Sequence, residues 1–203
     1  MNQQCRAHAG GLFVSYDGLL EPLGQSQILP YVISLADSGV RMHVISFEKK
    51  VDRSDDVKRN LLKQQLHSHN VTWTCLAYHA RPRILSTLFD LILGTWACLR
   101  VARRSRIQVV HARSFVPAVM TLPVKWLTGA SLVFDIRGFW PEERVQLGIF
   151  RAGGLMFRIC KRLERLLWRH TDRLVVLTEQ AKRVLVSLPE WRNRGNDISV
   201  IPC

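Results

Sequence analysis

Apolar residues fall in seven short, nearly continuous runs separated by longer polar or amphipathic stretches. The runs begin at Leu12 (LFVSY), Met42 (MHVISF), Val71 (VTWTCLAY), Gln108 (QVVHA), Leu132 (LVFDI), Arg173 (RLVVLT) and Ile198 (ISVIPC). Short β-branched and aromatic runs bounded by turn formers predict strands, and near-continuous hydrophobicity predicts burial on both faces. The stretches between them read as helices. Apolar residues at Ile28, Val32, Leu35 and Ala36 fit one helix face that Gly39 ends, with Pro30 tolerable only near the first turn. A polar helix is predicted from Asp52 to about His69. Arg81-Pro82 turns the chain into an apolar helix from Ile84, which ends in Arg100, Arg103, Arg104 and Arg106. Further helices are predicted from about Val116 to Leu127, from Leu155 to His170 and from Glu179 to Leu188.

This alternation predicts an α/β fold, a doubly wound, mostly parallel sheet of Rossmann-like type. Residues 12–203 read as one domain, preceded by a flexible tail over 1–11. A chain of 203 residues with 47% hydrophobic residues supports such a core.

Composition adds a partner class. A formal net charge of +13 calls for something acidic: a phosphorylated substrate, an anionic membrane surface or nucleic acid. No base-reading module is present and the aromatics are not interleaved with arginines, so nucleic acid is not expected as a partner. Five scattered cysteines without a CxxC pair read as reduced thiols, and the N-terminus lacks an apolar core of signal-peptide length. Both point to a cytoplasmic protein. The apolar stretch Ile84 to Leu99 carries Asp90 and falls short of the roughly 20 residues a spanning helix needs. It reads as a buried or membrane-facing helix.

Candidate chemistry concentrates in Leu132 to Arg144, LVFDIRGFWPEER, where a strand runs into Asp135, Arg137, Glu142, Glu143 and Arg144. Charges just past the carboxyl end of a parallel strand stand where open α/β sheets bind ligands. The plainer alternative is that Asp135 and Arg137 pair locally while Glu142 and Glu143 cap a helix. After the first strand, Asp17-Gly18 and the loop to Gln25 and Ser26 form a strand, glycine-bearing loop and helix, the arrangement in which helix N–H groups face an anion. It is not the GxGxxG dinucleotide fingerprint. Asp17 reads first as a turn former and His111 as a satisfied histidine at a strand end. His67, His69 and His79 lack acidic or cysteine partners at ligand spacing, so neither a metal nor another cofactor is expected. On Leu155 to His170, Leu155, Ile159, Leu163, Leu166 and Leu167 form one face and Arg158, Lys161, Arg162, Arg165 and Arg169 spread over the other. That pattern fits a core-packing helix, or one resting on an anionic bilayer.

Three stretches together resemble the family 4 glycosyltransferases, built on the two-domain GT-B fold: YDGLLEPLGQSQ (Tyr16 to Gln27); HARSF (His111 to Phe115) with FDIRGFWPEER (Phe134 to Arg144); and DRLVVLTE (Asp172 to Glu179) with VIPC (Val200 to Cys203). The resemblance implies the N-terminal, acceptor-binding half of a retaining enzyme that takes a sugar from a nucleotide-sugar donor without a required metal. Carried over residue by residue, Gly18, Gly24, Gln25 and Ser26 would face the donor phosphates. Asp135, Arg137 and Glu142 would be catalytic, and Arg113, Ser114, Glu143 and Arg144 would line the acceptor side. Relatives often place a histidine where this chain has Arg137, so a histidine-based role is not carried over. The resemblance also implies that the nucleotide-sugar-binding second domain lies outside this sequence, which reaches the interdomain hinge at Val200 to Cys203. The chain alone is then expected to be inactive.

The expected acceptor is a polysaccharide, glycolipid or lipid-linked sugar, with the protein peripheral at the inner face of the cell membrane. Two other readings stay open. One is a non-catalytic membrane- or partner-binding remnant. The other is a small stand-alone nucleotide-binding domain, for which Glu48 at the end of the second strand is the one supporting residue.

Overall fold

The computed structural model describes residues 9–202, without the side chains of Arg83 and Ile84. Seven parallel strands form one sheet in the order β3-β2-β1-β4-β5-β6-β7. They are β1 (Gly10–Ser15), β2 (Arg41–Glu48), β3 (Thr72–Ala77), β4 (Val109–Arg113), β5 (Ser131–Ile136), β6 (Arg173–Val176) and β7 (Ile198–Val200). The helices are α1 (Leu29–Asp37), α2 (Lys50–Arg53), α3 (Asp56–Ser68), α4 (Arg83–Arg104), α5 (Phe115–Thr128), α6 (Trp140–Gln146), α7 (Leu155–His170) and α8 (Glu179–Val186). The doubly wound parallel sheet expected from the alternation is the observed one.

Strand alternation sorts the core into two layers. On one face Leu12, Val14, Ile45, Phe47, Val110, Ala112, Leu132 and Phe134 pack with residues of α4, α5, α7 and α8. On the other, Phe13, Met42 and Val44 pack with Ile28, Leu29 and Val32 of the α1 region and with Leu62 and Leu66 of α3.

Several boundaries differ from the sequence pattern for identifiable reasons. β1 begins at Gly10, because Gly10 and Gly11 pair with Arg41 and Met42. Both are buried, so these two residues of the expected tail belong to the sheet; residues 1–8 of that tail lie outside the described residues. A side chain at Gly11 would meet Met42 Sδ at 2.7 Å, which explains why apolar patterning starts only at Leu12. The polar helix is two helices, since the Asp55 side chain accepts the Lys58 N–H at 2.9 Å and caps a new start. The first helix begins earlier than Ile28, through a π-helical turn over Gly24–Ile28. α6, not distinguished as an element by its pattern, starts with Pro141 in its first turn and runs only seven residues.

α4 is longer than its apolar stretch suggested. Its 22 residues carry the chain from β3 at one edge back past the centre to β4. By length and composition it could cross a membrane, yet 39% of its apolar window is buried inside the protein. On α7 the inward side is Cys160, Glu164, Leu167 and Trp168. Of the apolar face expected there, Leu167 is buried, Leu163 and Leu166 are half-buried, and Leu155 and Ile159 are exposed. The buried side is thus shifted toward Cys160, Glu164 and Trp168, and the inward Glu164 is paired with Lys161 of the same helix.

Candidate active site

The chain leaves β1 toward β2 and β3 on one side, and α4 then carries it to β4 on the other. Loops after β1 and β4 therefore diverge, leaving a crevice at the carboxyl edge of the sheet. Register puts Ser15, Arg113 and Asp135 in one row across β1, β4 and β5 at that edge.

Asp135 is the centre of the charges there, only 2% exposed. Its Oδ2 lies 3.0 Å from Arg137 Nε and 2.9 Å from Arg137 Nη2. His111 Nε2 approaches at 3.5 Å and Arg113 Nη1 at 3.9 Å. Oδ1 is buried with no hydrogen-bond partner among the described residues. Arg113, equally buried, reaches the opposite wall, where its Nη2 donates to Gln27 Oε1 at 2.6 Å and its Nε lies 3.7 Å from Asp17 Oδ2. A buried guanidinium stays charged, so it is tolerable only among such acceptors. His111 stacks on Phe13 at 4.7 Å and meets the Tyr31 ring edge-on at 5.3 Å. The Tyr31 hydroxyl is pushed above the usual phenol range by burial and by the Asp135 charge, against the opposing pull of Arg137. Ser114 follows with φ of 75°, a left-handed backbone uncommon for serine, and donates its N–H to the Asp135 carbonyl at 2.8 Å. That bond ties the start of α5 to β5.

The next turn forms a second cluster. Trp140 stacks on Phe115 at 4.9 Å and the Arg144 guanidinium lies 4.7 Å over the Trp140 ring. Glu142 pairs with Lys161 of α7 at 2.7 Å, and Lys161 also holds buried Glu164. Burial pushes the Glu164 carboxyl up, against the pull of Lys161. The Glu143 side chain folds back over Gly138, so a Cβ there would displace its carboxylate. Thus Arg113, Asp135 and Arg137 are brought together, while Glu142 and Arg144 are engaged toward α7 and Glu143 lies over Gly138.

The loop after β1 is tied down by a carboxylate from the neighbouring strand. The backbone N–H groups of Leu19 and Leu20 donate to Glu48 at 2.7 and 3.2 Å, so an internal carboxylate already occupies them. Gly18 and Gly24 are buried. A Cβ on Gly24 would lie 2.0 Å from the Gly18 carbonyl oxygen, and one on Gly18 would lie 2.4 Å from Glu48 Oε2. Gly24 serves close backbone packing, and Gly18 leaves space for the buried Glu48 carboxylate. Gln25 and Ser26 are exposed but bond internally, Gln25 Nε2 to Leu19 O at 2.6 Å and Ser26 Oγ to Pro22 O at 2.9 Å. Glu48 is itself fully buried and also takes the Ser46 hydroxyl at 2.6 Å. It cannot reach a ribose, which removes the residue that kept a stand-alone nucleotide-binding domain open.

Gln27, Tyr31 and Glu48 are site residues that spacing did not single out for these roles. Only Glu48 carried a signal, an acid at a strand end. Among the described residues no three His, Cys, Asp or Glu side chains converge as metal ligands.

An all-parallel Rossmann-like sheet with a charged crevice at its switch point is the class of protein defined here, and it matches one half of GT-B glycosyltransferases. A glycosyltransferase from Rickettsia africae superposes with a TM-score of 0.55 at 13% identity, over 97% of this chain and 43% of that one. An Anabaena protein solved with UDP and glucose superposes at 0.56 and 14% identity, over 96% and 44%. A putative UDP-N-acetylglucosamine 2-epimerase from Listeria monocytogenes superposes at 0.60 and 12% identity, over 95% and 44%. The chain thus spans less than half the length of these proteins. No curated protein matches the sequence. The glycosyl transferase 4-like domain matches residues 26–203, and the chain belongs to that family.

Proposed function

We propose that these residues form the acceptor-binding half of a retaining glycosyltransferase, acting with a donor-binding half from outside residues 1–203. The donor is a nucleotide sugar, and the acceptor is a polysaccharide, glycolipid or lipid-linked sugar at the membrane surface. The observation that carries this reading is the Asp135–Arg113–Arg137 cluster at the crevice. Sugar transfer needs charge on the leaving diphosphate neutralised and an acceptor hydroxyl oriented. Arg137, the more exposed arginine, supplies positive charge at the mouth. Asp135 Oδ1, which Arg137 leaves unbonded while it holds Oδ2, takes the hydrogen bond of the acceptor hydroxyl. Arg113 ties both walls together. Glu142 and Arg144 shape the acceptor side from the α6 turn, Glu143 lies beside them over Gly138, and Ser114 fixes the start of α5 against β5.

The membrane setting draws on the charge of +13 and on exposed Leu155, Met156 and Ile159 beside Arg158 and Arg162. The thiols of Cys75, Cys98 and Cys160 are free, in keeping with a cytoplasmic setting, and burial pushes Cys98 up to about 12. A non-catalytic module is the second reading, favoured by the occupied loop N–H groups at Glu48. Mixing the chain with a separately expressed donor half of its family, and following sugar transfer to a panel of lipid-linked and soluble acceptors, separates the two. Transfer that vanishes with Asp135→Asn supports the enzyme. Donor binding without transfer to any acceptor supports the module.

A further inference from the structure

Helix α4 buries one side and leaves the other open. Ser86, Asp90, Gly94, Ala97, Cys98 and Ala102 turn inward. Leu85, Leu88, Phe89, Ile92 and Trp96 recur at spacings of three and four on the outer side and are 52–65% exposed. Apolar residues of this size, contiguous over three turns, mark a contact surface. Toward the C-terminus the same side turns basic through Arg100, Arg103 and Arg104, all exposed. Arg41 of β2 lies alongside, donating from Nη2 to Ser105 O at 3.1 Å.

No negative charge faces outward from this helix. Its one acid, Asp90, is fully buried and bonds Tyr16 at 2.8 Å and His79 at 2.6 Å. Beside the basic end runs a groove of ≈ 340 Å³ lined by His43, Thr74, Leu76, Trp96, Arg100 and Arg104. Burial lowers His43 to about 4, so the arginines alone set the charge of that groove at neutral pH. Arg100 also lies 5.2 Å over the Trp96 ring, where apolar stripe gives way to basic cluster.

A helix with an apolar stripe, a basic end and a tryptophan at their border has the chemistry of a helix lying in a lipid interface. At a rise of 1.5 Å per residue it offers roughly 30 Å of such surface. We propose that the outer face of α4 docks the protein on an anionic phospholipid bilayer. Leu88, Phe89, Ile92 and Trp96 enter the boundary between headgroups and acyl chains, and Arg100, Arg103 and Arg104 meet lipid phosphates. The inference rests on the membrane setting proposed above and moves its main contact from α7 to α4. α4 starts at the carboxyl edge of β3, so its apolar end lies at the same edge of the sheet as the Arg113 and Asp135 crevice.

Co-sedimentation of the full chain with vesicles of phosphatidylglycerol and phosphatidylcholine tests this without any donor or acceptor, so its result is independent of sugar transfer. Binding is expected at low salt, with little on pure phosphatidylcholine. Each surface arginine near such a bilayer is worth about a fivefold change, so R100Q/R103Q/R104Q should weaken binding about a hundredfold. L88Q/I92Q should weaken it at all salt concentrations. R158Q/R162Q on α7 should change it less, and circular dichroism should show all variants folded. No binding at low ionic strength overturns the proposal. So does binding lost with the α7 pair and kept with both α4 sets, or sedimentation velocity showing that the α4 stripe is covered by a second copy of the chain.

Discussion

The carboxylate of Glu48, at the end of β2, accepts the backbone N–H of Leu19 at 2.7 Å. Through this bond and its partner to Leu20, a buried side chain from the neighbouring strand fixes the loop that leaves β1. Glu48→Ala would strand those N–H groups and the Ser46 hydroxyl in the interior. Charge-assisted bonds are worth about 1.5–3 kcal/mol each, so we expect a loss of roughly 3 kcal/mol or more in urea unfolding. Glu48→Gln, which keeps the shape and part of the bonding, should cost less.

Asp135 and its cations give a second expectation. Asp135→Ala leaves Arg113 buried without the carboxylate 3.9 Å away. Removing one member of a buried pair costs about 3–5 kcal/mol, measurable as a lower denaturation midpoint. Arg137→Ala takes away the closest hydrogen bonds of a carboxylate only 2% exposed and should likewise cost about 3 kcal/mol, less where water reaches the space left by the partly exposed guanidinium. On the proposed function, both should lower kcat of the chain combined with a donor half, and Asp135→Asn, which preserves volume, should lower it while costing less stability than Asp135→Ala.

Stability should depend on pH through His43. Its Nε2 lies 2.8 Å from Thr74 Oγ1, and burial lowers it from the usual imidazole range to about 4. Between about pH 6.5 and pH 4 the unfolded chain therefore binds a proton that the folded chain refuses. The neutral ring's contribution is fully present above that window, is lost as pH falls through it, and levels off below. His43→Gln should flatten this part of the stability curve in urea titrations run across pH 4–7.

Two glycines should respond differently to alanine. At Gly24 the added methyl would lie 2.6 Å from the Leu19 Cα, so the β1 loop must move and a loss of about 1–3 kcal/mol is expected. Gly129 ends α5 at φ of 73° with open space around it, so alanine there should cost about 1 kcal/mol, from backbone conformation alone. Thermal unfolding of the two variants checks the order.

Periodicity along the chain determined the fold class and nearly every element, because strands buried on both faces must be apolar throughout and the connecting helices must be amphipathic. It also placed Arg113, Asp135 and Arg137 at strand ends, where a parallel sheet gathers its loops. What it could not carry was side-chain partnership across the sheet. Glu48 and Leu19 are 29 positions apart and Gln27 and Arg113 are 86 apart, yet strand order makes each pair neighbours. Tertiary structure alone decided that Gly24 packs against backbone and Gly18 against the Glu48 carboxylate, that Glu142 turns to Lys161, and that the outer face of α4 stays open. A residue's pattern tells how it meets water, but which partner it meets depends on where the sheet returns the chain.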